Sequence, residues 1–309
     1  MLKSGAIFVT FRPTSEQVAA ISIAARLFDA VVVVDNSPAV DIALRRSFAL
    51  PNVELFENAN RGGIAGAFNR GVEVLLARGM DRVYFFDQDS VVSPDYRRLM
   101  DEGLDAAPAA CLVGPKIYDV NLRAFSPRYL VSRWTYRADP IPESATALIP
   151  CSFLISSGSV ATKAALVACG PFREDYFIDD VDTEYCLRAT RHGVGVFINP
   201  RVVLNHAIGE REERTFLGVR IRPSHHGALR RYYRCRNGLH LSLRNACRSP
   251  AFLVHNQKRL AHEFIGVLLY ESKKWKKIAA IGLGIIHGMT GQLGDIRDIA
   301  PRFQRWLTD

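Results

Sequence analysis

The sequence lacks what a membrane span or a disulfide scaffold would need. No stretch reaches the roughly 18 to 20 consecutive apolar residues of a spanning helix. The nearest, from Ile278 to Met289, is short and broken by glycines and His287. The first residues, M-L-K-S-G-A-I-F-V-T-F, hold too short an apolar run for a secretory leader. Cysteine is sparse: six residues at 111, 151, 169, 186, 235 and 247, none arranged as C-x-x-C. In a chain of this length they read as free thiols in a reducing compartment, and their spacing argues against a zinc site. A cytoplasmic location is therefore expected. No Gly-rich turn is followed by G-K-[ST], which excludes a Walker A loop, and the G-x-G-x-x-G dinucleotide fingerprint is missing. Internal repeats and low-complexity tracts are absent too.

What is present is an ordinary globular composition. The chain has 309 residues, 48% hydrophobic and 23% charged, enough for one large or two modest domains. Forty Lys and Arg against 31 Asp and Glu leave a net charge of +9. Such a balance suits nucleic acid, anionic lipid or a phosphorylated substrate. Much of the excess sits late, in R-R-Y-Y-R-C-R (230–236) and K-K-W-K-K (273–277).

Hydrophobic periodicity predicts alternating strands and helices in the first half. Strands are expected over 6–10, 31–34, 53–56 and 83–86. Helices are expected over 15–28, with Ser15 as cap, and over 63–77, ended by Arg78-Gly79. This βαβ rhythm argues for a largely parallel sheet with helices on both faces. The middle is less regular. Strands are expected at 112–114, 153–156, 194–198 and 202–206, a loop over 122–142, and helices over 162–169 and 180–192. From about residue 227 the pattern is helical, over 228–243, 251–269 and 274–287. A boundary near 225 divides residues 1–225 from a basic helical region, 226–309.

In an open α/β sheet, ligands bind beyond the carboxyl ends of the strands. Three predicted strands end on polar groups there: Thr10-Phe11-Arg12, Asp35-Asn36 and Asp87-Gln88-Asp89. Two carboxylates at the end of a buried strand lose hydration and repel each other. A divalent cation resolves that conflict, and Mg²⁺ is typically held by one or two carboxylates plus substrate phosphates. The plainer alternative is that Asp87 is a turn residue after a strand. The run N-R-G-G-I-A-G-A-F-N-R-G (60–71) either lets a ligand approach the backbone or packs a helix tightly on the sheet. Four acidic residues crowd a predicted helix start in D-D-V-D-T-E-Y-C-L-R (179–188), more than the helix dipole needs. One of them is a candidate general base, and Asp182 and Glu184 point to different sides. His206, after a short strand in V-L-N-H, is either structural or a further metal ligand.

Taken together, T-F-R-P (10–13), V-V-V-D-N-S (32–37), the 60–71 run, F-F-D-Q-D-S (85–90), F-I-D-D-V-D-T-E-Y-C-L-R (177–188) and N-H (205–206) resemble an inverting glycosyltransferase of family 2. The likeness is greatest to bacterial rhamnosyltransferases, and R-Y-Y-R-C-R-N (231–237) is similar to the family's later region. The resemblance implies a GT-A fold: a Rossmann-like mixed sheet flanked by helices, with a C-terminal helical extension. It implies that Thr10 and Asp35 line the pocket for the donor's pyrimidine base, with Arg12 close by. Asn60 and Gly63 would border the nucleotide-sugar pocket. Asp87, with Gln88 beside it, would sit near the ribose and metal. Asp89 would ligate Mg²⁺ or Mn²⁺, with His206 as protein partner. Asp182 matches the catalytic base. The family's usual acidic residue just ahead of the base is Val181 here, which leaves Asp180 and Asp179 as fallback bases. The family's arginine after the mid-chain strand corresponds to Lys163, to which no role is carried.

The implied reaction moves L-rhamnose from dTDP-β-L-rhamnose to a glycan or lipid-linked glycan in surface polysaccharide synthesis. The basic run 273–277 beside 278–286 resembles an interfacial helix suited to the inner membrane face; packing on the catalytic domain is the alternative. A nucleotidyltransferase would want a Gly-rich loop after the first strand, which is lacking. A nucleic-acid partner is disfavoured, because the acidic clusters at 87–89 and 179–184 would repel a phosphate backbone.

Overall fold

The computed structural model describes residues 2–39, 48, 50–206, 214–216, 219–221 and 226–308. The boundary expected near residue 225 lies outside them. One mixed sheet organises the chain. Its order runs from the Val53–Glu57 strand through Ala30–Asp35, Ser4–Thr10, Arg82–Asp87, Ser159–Thr162, Cys111–Asp119 and Gly195–His206 to Ile149–Pro150. The four strands from the first half are parallel. The Ser159–Thr162 strand is inserted antiparallel between 82–87 and 111–119, which makes the sheet mixed.

The central strands are apolar on both sides because both faces are covered. Ile7, Val9, Val32 and Val34 join one core cluster. Their neighbours Ala6, Phe8, Val31 and Val33 join the other. This is the two-residue alternation of a pleated strand with no wet face. The Gly63–Ala77 helix presses Ala65, Ala67 and Gly71 inward, and a Cβ on Gly71 would run into the Ile7 side chain.

Several expectations need correction. The first helix, Ser15–Ala25, is capped by Thr14, not Ser15. Thr14 is extended and exchanges bonds with Gln17: its N–H donates to Gln17 Oε1 at 2.9 Å, and the Gln17 N–H donates to Thr14 Oγ1 at 3.3 Å. Residues 153–156 form no strand; the chain pairs a few residues later, at 159–162. The expected loop 122–142 contains a hairpin, Arg128–Val131 with Tyr136–Asp139. The two strands expected at 194–198 and 202–206 are one, with an irregularity between Asn199 and Val203. The Tyr96–Asp105 helix was not anticipated. All six cysteines are free.

The late helices, Ala228–Arg244, Pro250–Tyr270 and Lys274–Thr290, pack on one another. None of the described helices is long and apolar enough to cross a membrane. The basic run 273–277 is not uniformly exposed. Lys277 is buried and donates to Glu271 at 2.8 Å, and Glu271 is also paired with Arg231.

Candidate active site

The parallel strands 4–10, 30–35 and 82–87 end at one edge of the sheet. Their register sets Thr10 opposite Asp35 and Val9 opposite Asp87. Beyond that edge lies a cleft of about 700 Å³. Thr10, Asn60, Gly63, Asp87, Gln88, Asp89, Asp182 and His206 all line it. The structure thus brings together eight of the ten residues singled out in the sequence.

Asp35 and Arg12 do not line this cleft. Asp35 is fully buried beneath Thr10. Its Oδ1 accepts from the hydroxyls of Thr10 and Ser37, each at 2.8 Å, while Oδ2 has no hydrogen-bond partner among the described residues. Asp35 therefore orients the Thr10 hydroxyl. Arg12 is exposed in the left-handed region, φ 49°, and its N–H donates to Ser37 Oγ at 2.7 Å.

The turn after the 82–87 strand is held from several sides. The Ser90 N–H donates to the Asp87 carbonyl at 3.1 Å, and Ser90 Oγ lies 2.7 Å from Ser157 Oγ. Gln88 Oε1 accepts from the Phe11 N–H at 2.7 Å. Val91 forms an antiparallel bridge with Asn205, which carries His206 toward the same turn. Burial, then repulsion by Asp89, pushes the Asp87 carboxyl up to about 6, with Arg230 pulling it back. Burial lowers the proton affinity of His206, against the pull of Asp89 and Asp119.

These side chains fit a hard divalent cation. The buried Nδ1 of His206 has no hydrogen-bond partner among the described residues, and two carboxylates of one turn stand beside it in the cleft. Oxygen donors with one imidazole suit Mg²⁺ or Mn²⁺. No three His, Cys, Asp or Glu among the described residues form a ready-made cage. A divalent ion held by these side chains would need substrate phosphates and water to complete its coordination.

The acidic loop opposite is built on unusual backbone. Phe177, Asp179 and Asp180 all take positive φ, at 66°, 62° and 57°. The 228–244 helix holds that shape. The Asn237 side-chain amide donates to the carbonyls of Tyr176, Ile178 and Asp179 at 2.8, 2.8 and 3.0 Å. Arg236 donates to the Asp175 and Tyr176 carbonyls at 3.0 and 3.1 Å. The four acids then divide by partner. Asp179 pairs with Arg230 at 3.3 Å and Asp180 with Arg259 at 3.4 Å. Glu184 is buried against Arg188 at 2.8 Å. Asp182 has no ion pair among the described residues; its Oδ1 accepts from the Thr183 N–H at 2.7 Å. Burial, with Asp180 and Asp179 adding repulsion, pushes its carboxyl up to about 7 against the Thr183 bond. That places it where a proton acceptor works at neutral pH.

A second cleft, of about 350 Å³, meets the first along Ile155, Asp179, Asp180, Asp182 and Arg234. Its wall is aromatic: Tyr129 and Tyr136 from the hairpin, Phe153, and Phe252 and His255 from the 250–270 helix. The Tyr136 and His255 rings stack at 3.5 Å between centroids and 6° between planes. Sequence reasoning missed this wall, because its aromatics converge from three distant segments. It also assigned no role to Arg230 and Arg234, which line the larger cleft. Their i, i+4 spacing in R-R-Y-Y-R was the available signal.

The sequence profile of glycosyl transferase family 2 matches residues 13–162. The dTDP-rhamnosyl transferase RfbF of Shigella flexneri is 32% identical over 216 residues, 70% of this chain and 71% of that protein. The fold is similar to the crystal structure of GalNAc-T7 with UDP, GalNAc and Mn²⁺, with a TM-score of 0.58 and 12% identity over 79% of this chain. The chain spans about half, 48%, of that larger one. S. aureus TarS 1-349 in complex with UDP-GlcNAc has a TM-score of 0.50 and 15% identity, over 93% of this chain and 81% of that one. At such identities the two structures speak for the GT-A fold.

Proposed function

Since the chain belongs to glycosyl transferase family 2, we propose that it transfers L-rhamnose from dTDP-β-L-rhamnose to a hydroxyl of a glycan or lipid-linked glycan, with inversion. The observation that carries this reading is one carboxylate without an ion pair among the described residues, Asp182, shared by two clefts. The larger cleft suits the nucleotide sugar and the smaller, aromatic one the acceptor. The choice of rhamnose is supported by the 32% identical relative.

In this reading Thr10, oriented by Asp35, meets the pyrimidine base, with Arg12 near it. Asn60, Gly63 and Gln88 border the nucleotide sugar, and Arg230 and Arg234 face its diphosphate. Asp87, Asp89 and His206 would hold Mg²⁺ or Mn²⁺, which when bound screens the diphosphate charge and eases its departure. Asp182 accepts the proton of the acceptor hydroxyl. The freed oxygen attacks the anomeric carbon on the face opposite the diphosphate, the bond to the phosphate oxygen breaks, and configuration inverts. The nucleoside diphosphate leaves and the proton rests on Asp182. Residues 1–225 are assigned to catalysis, and 226–309 to a helical region that braces the acidic loop and lends the two arginines.

Calorimetry tests the donor half directly. Uptake of dTDP should depend on a divalent ion, and its absence under every ion would overturn the assignment. Incubation with dTDP-β-L-rhamnose, Mn²⁺ and lipid-linked glycans should release dTDP and yield a rhamnosyl adduct by mass. Pyrophosphate release would instead indicate nucleotidyl transfer. For the acceptor half, Tyr136→Ala removes one ring of the stacked pair. It should raise the acceptor KM about three- to tenfold, the worth of an aromatic stack, and leave slow hydrolysis of the donor by water unchanged. An equal loss in both rates would remove Tyr136 from the acceptor site.

A further inference from the structure

The 250–270 helix is apolar on two sides, since Phe252, Leu260 and Val267 are buried against the protein. Toward the protein it carries Asn256, Arg259 and Glu263: Asn256 Nδ2 donates to Ser242 Oγ at 3.2 Å, Arg259 pairs with Asp180 at 3.4 Å and Glu263 with Arg234 at 2.6 Å. Away from the protein it exposes Val254, Phe264, Ile265, Leu268 and Leu269, with Val254 52% exposed. At about 100° per residue these apolar side chains fall on one stripe. A helix whose outer side only faced water would be polar along that outer stripe. The next helix continues the pattern. Lys277 and His287 turn inward, while Trp275, 82% exposed, Ile286 and Met289 turn outward.

The charges around this face have one sign. Between residues 250 and 290 the acidic residues are Glu263 and Glu271. Both turn inward, Glu271 lying between Arg231 and Lys277 with its side chain 0% exposed. The exposed charges of this segment are Lys258, which falls within the stripe, and Lys273 and Lys274 beyond its end. An apolar stripe with a tryptophan and basic charges complements one kind of surface, apolar within and negative at its boundary.

We propose that this face docks on an anionic lipid bilayer, with Ile265, Leu268 and Trp275 entering the headgroup boundary and the lysines pairing with lipid phosphates. The same helix places Phe252, His255 and Arg259 on the smaller cleft, on the side turned away from the stripe, so docking would hold that cleft about one helix diameter, roughly 10 Å, from the bilayer. That link to a lipid-held acceptor rests on the transferase reading. Docking itself does not, and its test reads binding, independent of transfer.

The experiment is co-sedimentation of the full chain with vesicles of phosphatidylcholine mixed with phosphatidylglycerol, and with vesicles of phosphatidylcholine alone. The chain should sediment with the mixed vesicles at low salt and be released as salt rises. The double variant Ile265→Asp, Leu268→Asp should bind about tenfold more weakly or worse. It should keep the wild-type melting temperature, because both side chains are exposed. Lys258→Gln, Lys273→Gln and Lys274→Gln should each cost about fivefold at low salt. A wild-type chain that stays in the supernatant, or an aspartate variant that sediments as well as wild type, overturns the proposal. So does a concentration-dependent dimer by gel filtration that the aspartate variant abolishes, without vesicle binding, since a second copy would then cover the face.

Discussion

Asp182→Asn is expected to lower kcat by about 10²- to 10⁴-fold, the range spanned by a positioned general base. Donor affinity should stay within about twofold, since the amide keeps the size and the Thr183 bond but is far too weakly basic to take a proton. In the wild type, kcat/KM should fall as pH drops through about 7, where the Asp182 carboxyl titrates; the variant's residual rate should lack that limb. Stability gives an independent readout. The folded-state value lies above the ordinary 3.8, so between the two the folded protein binds the extra proton. The ionised carboxylate therefore weakens the fold progressively as pH rises from about 4, fully so above about 7. Asp182→Asn should accordingly melt higher than wild type at pH 8, with the gap closing toward pH 4. Turnover and thermal scans check both. Near-normal turnover would pass the role to Asp180 or Asp179. Those are weaker candidates, because Arg259 and Arg230 already neutralise them.

Gly63→Ala should be the most damaging single methyl in the donor cleft. Gly63 has φ 62°, and a Cβ there would run into the backbone carbonyl of Phe177. That carbonyl cannot withdraw. Phe177 is itself in the left-handed region, and its oxygen accepts from the Ile64 N–H at 2.9 Å. Two strained backbones meet there with no flexible side chain between them. The expected cost is about 3 kcal/mol or more, with loss of donor binding as the two sides of the cleft separate. Gly79 supplies the control. It has φ 73°, and nothing lies within 4 Å of an added Cβ. Gly79→Ala should cost about 1 kcal/mol, the left-handed penalty alone. Equal midpoints in denaturant for the two variants would show that the contact with Phe177 carries no weight.

The residues of the larger cleft were legible because they obey local rules. Thr10, Asp87 and Asp89 follow apolar runs at the carboxyl ends of parallel strands, and every such strand opens onto the same edge. Asn60 and Gly63 stand where a glycine pair precedes a helix. The inserted antiparallel strand was misplaced to 153–156, because a short apolar run reads alike whether it pairs or merely packs. The 128–139 hairpin was passed over, since its strands are short and mostly half-buried and leave little hydrophobic signal. The K-K-W-K-K run read as an interfacial helix or one packed on the catalytic domain, and Lys277 is drawn inward by Glu271, a partner six residues earlier that periodicity does not reveal.

The order of residues by itself determined the family, the sheet's parallel core and the acids that crowd one helix start. Those are properties of short segments, written in spacing and side-chain type. Which acid of the 179–184 run stands without an ion pair among the described residues was decided by the tertiary structure alone, when the 228–244 and 250–270 helices brought Arg230 and Arg259 to Asp179 and Asp180 and left Asp182 at the junction of two clefts. Distant charges select among neighbours in this way because Coulomb attraction depends on separation in space, and the chain's numbering carries no record of it until the chain is folded.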